Sequence, residues 1–360
     1  MHDLEAQLDQ REKKLDQFEA AMIASARKDH PKSLISYVYT EGAINRRNLA
    51  FFIEHGLHAS SDFVFTFNGN TDAYKLLPMY EESPYYKDNV TYPNIEVVRR
   101  DNKCFDMGAH GEALLREWEP ETNSWTKMTG RDRGGKKFWE RYERFILMNA
   151  SVRGPFMPIW NRSCWADAFW GLVSKSVKLV AMTYNCHGGG DAGHAQSMVW
   201  ATDRVGVKLL MQPPNGDGSS GGIGYWCPYD MPDAIKGEIR ATPLIRSAGY
   251  EVSSLELAYH STDGADLDGD GKPDGKPDKF VESCTVEDYW HENEYYGFNI
   301  HPYETVFVKA ARDMQEQLIA NFTQWTDGSG YSSYDRCGNG GAVWLGEPMP
   351  ATENNTVLSA

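Results

Sequence analysis

The chain has 360 residues, 41% of them hydrophobic and 12% aromatic, enough to bury a large core as one big domain or two ordinary ones. Its 36 basic residues stand against 51 acidic ones, a formal net charge of -15 that repels nucleic-acid phosphates and anionic lipid. No apolar run approaches the roughly 20 residues that span a bilayer, so any membrane attachment is expected through a segment outside this sequence.

Residues 1–32 differ from the rest. Leu4, Leu8, Leu15, Phe18 and Met22 recur at helical spacing among many charges, which predicts a helical stalk or stem able to join copies of the chain. From residue 33 the period changes. Strands are expected at Leu34–Tyr39, Asp62–Phe67, Ile95–Val98, Phe145–Met148, Val177–Met182 and Val252–Tyr259. Helices are expected at Glu41–Glu54, Gly108–Trp118, Lys136–Tyr142 and Trp165–Ser174, after Thr202, before Gly249, and at His301–Trp325. Strands alternating with helices predict an α/β, Rossmann-like fold, a mixed and mainly parallel sheet covered by helices. One domain over 33–345 and a flexible tail over 346–360 are expected. The glycine-rich run Pro213–Gly224 has no strand-to-helix context, so it reads as a loop beside a site and not as a phosphate cradle.

Six cysteines (Cys104, Cys164, Cys186, Cys227, Cys284, Cys337) form no CxxC pair, which argues against zinc and permits disulfides, with the pairing open. Asn-x-Ser/Thr sequons stand at Asn89, Asn149, Asn161, Asn321 and Asn354, of which Asn89, Asn161 and Asn321 are the glycosylation candidates. Together these features predict the secretory pathway, in the Golgi lumen or outside the cell.

The sharpest local motif is DLDGDGKPD, with Asp266, Asp268, Asp270, Lys272 and Asp274 at alternate positions within an aspartate-rich insertion over 261–280. Oxygen ligands at alternate positions and a glycine at the sixth match the first part of a calcium loop, so structural Ca2+ is expected there. Pro277 stands where an EF-hand has its bidentate acid, and the loop resembles those of dockerin and thrombospondin type-3 repeats.

Ligands of doubly wound sheets bind beyond the carboxyl ends of the strands. Polar groups recur at those ends: Thr40 and Glu41, Asn68 to Asn70, Arg99 to Asp106, Asn149 to Arg153, Asn185 to Asp191, and His194 to Ser197.

Three blocks carry a family resemblance: VVRRDNKCFDMGAHGEAL (97–114), FILMNASVRGPFMP (145–158) and HAQSMVWATDRVG (194–206). Their order and spacing resemble GT-A-type glycosyltransferases, close in style to the rhamnan-synthesis family. The resemblance implies transfer of a sugar from a nucleotide-sugar donor to a glycan or glycoprotein acceptor. It places Arg100, Asp101, Asp106, Gly108, Asn149, Ser151 and Gln196 along the donor. Asn149 and Ser151 stand where many such enzymes carry Asp-x-Asp, and amide and hydroxyl are poor Mg2+ or Mn2+ ligands. No Asp-x-Asp-bound Mn2+ or Mg2+ is therefore expected, and Arg153, with its fixed fork of donors, is the candidate to meet the leaving diphosphate. His194 is a candidate for diphosphate contact or acceptor activation, and Asp191 and Glu256 are rival bases. The competing readings are a noncatalytic carbohydrate-binding protein, suggested by 11 Trp and 19 Tyr, and a calcium-stabilised extracellular structural protein.

Overall fold

The structure is a computed structural model that describes residues 32–88, 90–119, 124–125, 135–186, 193–213, 222–260, 288–312 and 316–337. The expected stalk, the calcium-type loop, Asp191, Asn89 and the tail lie outside the described residues.

A seven-stranded sheet organises them. Its strands are β1 (Ser33–Thr40), β2 (Asp62–Asn68), β3 (Ile95–Arg100), β4 (Arg144–Asn149), β5 (Val177–Ala181), β6 (Val199–Asp203) and β7 (Glu251–Ser254). The order across the sheet is β7-β5-β6-β4-β1-β2-β3. Every neighbouring pair is parallel except those of β6, which runs antiparallel to both β4 and β5. This is the Rossmann-like α/β sheet that the sequence predicts. Strands covered on both faces are buried at nearly every position and favour apolar residues on both, which is why β1 (SLISYVYT) and β2 (DFVFTFN) show no regular polar alternation.

Successive side chains of β1 show what covers each face. Tyr37 packs on Phe52 of α1 (Ala43–His55), with ring centroids 5.0 Å apart. Its neighbour Ser36 faces the other way, with Oγ 2.8 Å from His110 Nδ1 of α2 (Phe105–Leu114). On the α1 side, Trp165 of α3 (Trp165–Trp170) meets Phe52 at 5.8 Å and Phe307 at 5.1 Å. Two more helices flank the sheet, α4 (Arg204–Leu210), capped by Asp203, and α5 (Met231–Ser247), capped by Asp230. The C-terminal pair is α6 (Glu316–Ser329) and α7 (Ser333–Cys337). No described helix is long and apolar enough to cross a membrane.

Two disulfides join distant parts, Cys104 to Cys227 and Cys164 to Cys337, and Cys186 is also disulfide-bonded. The first fixes the loop after β3 to the segment before α5.

Several predicted elements differ. The helix expected over Lys136–Tyr142 is a short 3-10 turn, Phe138–Arg141, and the strand expected over Val252–Tyr259 ends at Ser254 before a single helical turn, Leu257–His260. The long helix expected over His301–Trp325 is three pieces: a turn at Pro302–Thr305, a two-residue strand Val308–Lys309, and α6. Val306, Phe307 and Val308 form a fully apolar, β-prone run buried at 4% exposure or less, and Val308 pairs with Arg153 in a small antiparallel ladder. Helical periodicity on either side masked that interruption.

Helix α2 packs close enough on the 222–226 segment that a Cβ at Gly111 would lie 1.9 Å from the Gly224 carbonyl oxygen. Alanine has the better helix propensity by ~1 kcal/mol, yet the clash is with backbone and dominates. Gly111→Ala is expected to destabilise the fold by roughly 1–3 kcal/mol, read as a lower urea midpoint. An unchanged or higher midpoint would show that this segment does not rest on α2.

Candidate functional site

The sheet order reverses at β1. From β1 the chain moves out through β2 and β3, then returns to pair β4 on the opposite edge of β1. The helix after β1 (α1) covers one face of the sheet and the helix after β3 (α2) the other, which leaves a crevice at the carboxyl ends of β1 and β4. A cavity of about 840 Å³ opens there, lined by Thr40 from β1, Asn149 from β4 and Ser151 just after it, Asp106 from α2, Glu238 from α5, and Lys309.

Asn149 is held in place by its neighbours. Its Nδ2 donates to Asp106 Oδ2 at 2.7 Å, while its Oδ1 accepts from the Ser151 amide (3.1 Å) and hydroxyl (2.6 Å). The apolar run FILM buries the strand, and the NAS turn at its end leaves these polar groups at the cavity. The loop before Asp106 is strained: Cys104 and Phe105 take φ of 63° and 51°, a left-handed conformation unfavourable for residues with a Cβ. The Cys104–Cys227 disulfide lies in the cavity wall and anchors that loop.

Glu238 Oε1 accepts from the Ser197 amide at 2.6 Å. Lys309 Nζ lies 4.0 Å from Asp288 Oδ2, which also approaches Arg312 Nε at 3.4 Å. Burial moves all three cavity groups toward their neutral forms. The Asp106 carboxyl is raised by burial, partly offset by the Asn149 hydrogen bond and the Lys309 charge. Glu238 is likewise raised by burial, and Asp106 adds to it while the Ser197 amide and Lys309 oppose it. Lys309 is lowered by burial, against the attraction of Asp288, Glu238 and Asp106. The site thus combines two carboxyls that hold protons more tightly than usual with one partly covered ammonium. Such a set can bind hydroxyls, meet an anion and exchange a proton.

Of the residues singled out in the sequence, Asp106, Asn149 and Ser151 line this cavity. Arg100 does not; it holds the 101–104 loop, donating to Glu112, to Asn68 Oδ1 (2.7 Å) and to the Lys103 carbonyl (2.8 Å). Asp101 is exposed and pairs with Lys103. Gly108 serves packing, since a Cβ there would lie 2.3 Å from Cys104 Cβ. Gln196 is buried, accepting from Thr183 Oγ1 at 2.6 Å. His194 is buried in a two-residue strand paired with Tyr184–Asn185.

Arg153 also lies away from the cavity, on the α1 face of the sheet. It is buried, and its Nε donates to Asn48 Oδ1 (2.9 Å) and its Nη1 to Thr323 Oγ1 (3.3 Å), tying α1 to α6. Glu256 is fully buried and does not line the cavity; one oxygen accepts from the Tyr184 amide at 2.9 Å and Oε1 has no partner. Asn161 and Asn321 are half-buried, each with Oδ1 in a hydrogen bond.

Sequence reasoning missed Lys309 and Glu238. Lys309 lay inside the long helix expected over His301–Trp325. Glu238 had a usable signal, since Asp230, Pro232 and Asp233 spell a helix start that would have placed it on the second turn of α5.

No protein-family model and no curated protein matches the chain. Among solved structures, a mannosyltransferase from Pyrobaculum calidifontis in complex with GDP-Man and Mn2+ is similar at 13% identity and a TM-score of 0.33, over 89% of this chain and 94% of that one. A TM-score that low carries no weight for the chemistry of this chain.

Glu256 generates a prediction about stability. Burial raises its pKa well above the ordinary glutamate value, with the Glu304 charge adding and the Tyr184 amide opposing. A folded-state pKa raised above the unfolded one gives stability that is complete at acid pH and lost as pH rises through the folded value. Glu256→Gln is therefore expected to match the parent near about pH 5 and to gain on it as pH rises toward about 8. Thermal melts across that range check this; an equal loss at both ends would show a charged, required carboxylate.

Proposed function

We propose that the chain is a glycosyltransferase that takes a nucleotide-sugar donor in the 840 Å³ cavity and passes the sugar to a hydroxyl of a glycan or glycoprotein. The single observation that carries this reading is the cavity's place: it opens at the reversal between β1 and β4, beyond the strands' carboxyl ends, and is lined by Asp106, Asn149 and Ser151 of two of the blocks that resemble GT-A-type enzymes.

In this reading Asp106, oriented by Asn149, accepts from sugar hydroxyls. Lys309 meets the diphosphate as a point charge and stabilises the negative charge that grows as the anomeric carbon–oxygen bond breaks. The bonding pair goes to the departing phosphate oxygen, the acceptor oxygen bonds the anomeric carbon, and its proton passes to Glu238. Asn149 and Ser151 leave the Asp-x-Asp clamp unfilled, and Lys309 already offsets the charge of the two cavity carboxyls, so a divalent ion on the diphosphate is dispensable. Calcium on the Asp266–Asp274 loop would hold that insertion and leave the chemistry alone. The disulfides suit an oxidising compartment of the secretory pathway.

Lys309→Ala is expected to weaken donor binding at least about tenfold, and Glu238→Gln to slow turnover on the order of 10² with donor affinity little changed. Both are measured by titration and by donor-hydrolysis or transfer assays, in EDTA and again with calcium restored. Parent-like behaviour of both variants, or strict Mn2+ dependence, would contradict the assignment. A saccharide-binding protein without turnover would instead bind glycans and no nucleotide sugar.

A further inference from the structure

A second cavity lies apart from the first, sharing none of its lining residues, and encloses about 310 Å³. That is at the small end for ligand pockets, roughly 300–1,000 Å³, and has room for a single sugar ring. It is built where the loop after β4 meets α6 and α7. The Cys164–Cys337 disulfide ties that loop to the end of α7, with Cα atoms 4.5 Å apart, so the walls are held together covalently.

Its apolar wall is made of large side chains that face solvent. Ile159 is 74% exposed, Trp325 59% and Tyr303 43%. Exposed aromatic rings cost hydration free energy unless something covers them. These rings are also fixed from behind: Phe322 touches Trp325 at 5.3 Å and Tyr303 at 5.2 Å. The rest of the lining is polar and charged. Arg162, Arg336 and Asp335 all line the cavity, and among the described residues no ion pair or hydrogen bond engages their side chains. Two unpaired guanidiniums against one carboxylate leave a net positive pocket on a chain of net charge -15.

We infer that this cavity is a saccharide subsite for an acidic pyranose, with the ring stacked on Trp325 and Tyr303 and its acid group held by Arg162 and Arg336. The guanidinium fork matches the planar oxygens of a carboxylate and also takes a sulfate ester, so the recognised chemistry is one anionic group on a sugar ring. Asp335 supplies acceptors for the ring hydroxyls, and the Ser332 hydroxyl, which accepts from the Tyr334 amide at 3.3 Å, keeps its proton to donate. This subsite stands independently of the transfer reading, because it uses no residue of the first cavity.

Isothermal titration with trigalacturonate, with a sulfated heparin-derived disaccharide and with neutral maltotriose tests it on the full chain. Saturable binding of either acidic ligand, at least about tenfold tighter than the neutral one, is expected, and the tighter of the two identifies the acid group. Arg336→Gln should erase the preference for acid, and Trp325→Ala should weaken binding of the acidic ligand at least tenfold, with the melting temperature of each variant near the parent's. No saturable binding of the acidic sugars, equal binding of maltotriose, or parent-like titrations of both variants would overturn the subsite. Nucleotide-sugar binding by these two variants is expected to be unchanged, which separates failure of this subsite from failure of the first cavity.

Discussion

Strand β1 is hydrogen-bonded on both edges by parallel neighbours reached from opposite directions, and the cavity exists because of that. A strand in that position is buried on both faces, and Tyr37 against α1 and Ser36 against α2 show each face claimed by a different helix. The helices after β1 and β3 then leave on opposite sides, and among the described residues the space above β1 and β4 stays open as a cavity. Polar groups at those strand ends line a cavity instead of packing into a core. The hydrogen bond from Asn149 to Asp106 ties the end of β4 to the start of α2, and the disulfide at Cys104 supports the strained turn that delivers Asp106.

The charge arrangement follows from burial as much as from residue type. Burial raises the proton affinity of both Asp106 and Glu238, Asp106 adds to the rise at Glu238, and Lys309 opposes it at both. A lysine used this way differs from the arginine that the sequence suggests. Arg153 is only a few residues beyond Asn149, but its alternating partner Val152 and the ladder to Val308 turn it to the α1 face. There its rigid fork of donors suits a structural crosslink between helices, at Asn48 and Thr323.

The sheet was legible from the sequence because buried parallel strands such as DFVFTF and FILM announce themselves as unbroken apolar runs. The first half of the site was legible for a related reason: where such a run stops at polar residues, the strand's carboxyl end is near. Lys309 was not, since its two-residue strand is too short for any periodicity, and the apolar run before it fits a helix face equally well. Side-chain direction was also hidden. Arg153, Glu256 and Gln196 stand at strand ends as expected, yet local pleat and ladder register place them in the core, and neither signal can be read from residue type. The aromatic cavity near α7 depends on a disulfide between residues 173 apart in sequence, which no local pattern encodes.

A crystal structure with a nucleotide sugar bound tests the central claim most directly. The account predicts the donor in the cavity above β1 and β4, with its diphosphate within hydrogen-bond reach of Lys309 and its sugar against Asp106. A donor bound elsewhere on the molecule, or a diphosphate held by acidic side chains through a metal with Lys309 turned away, would contradict it.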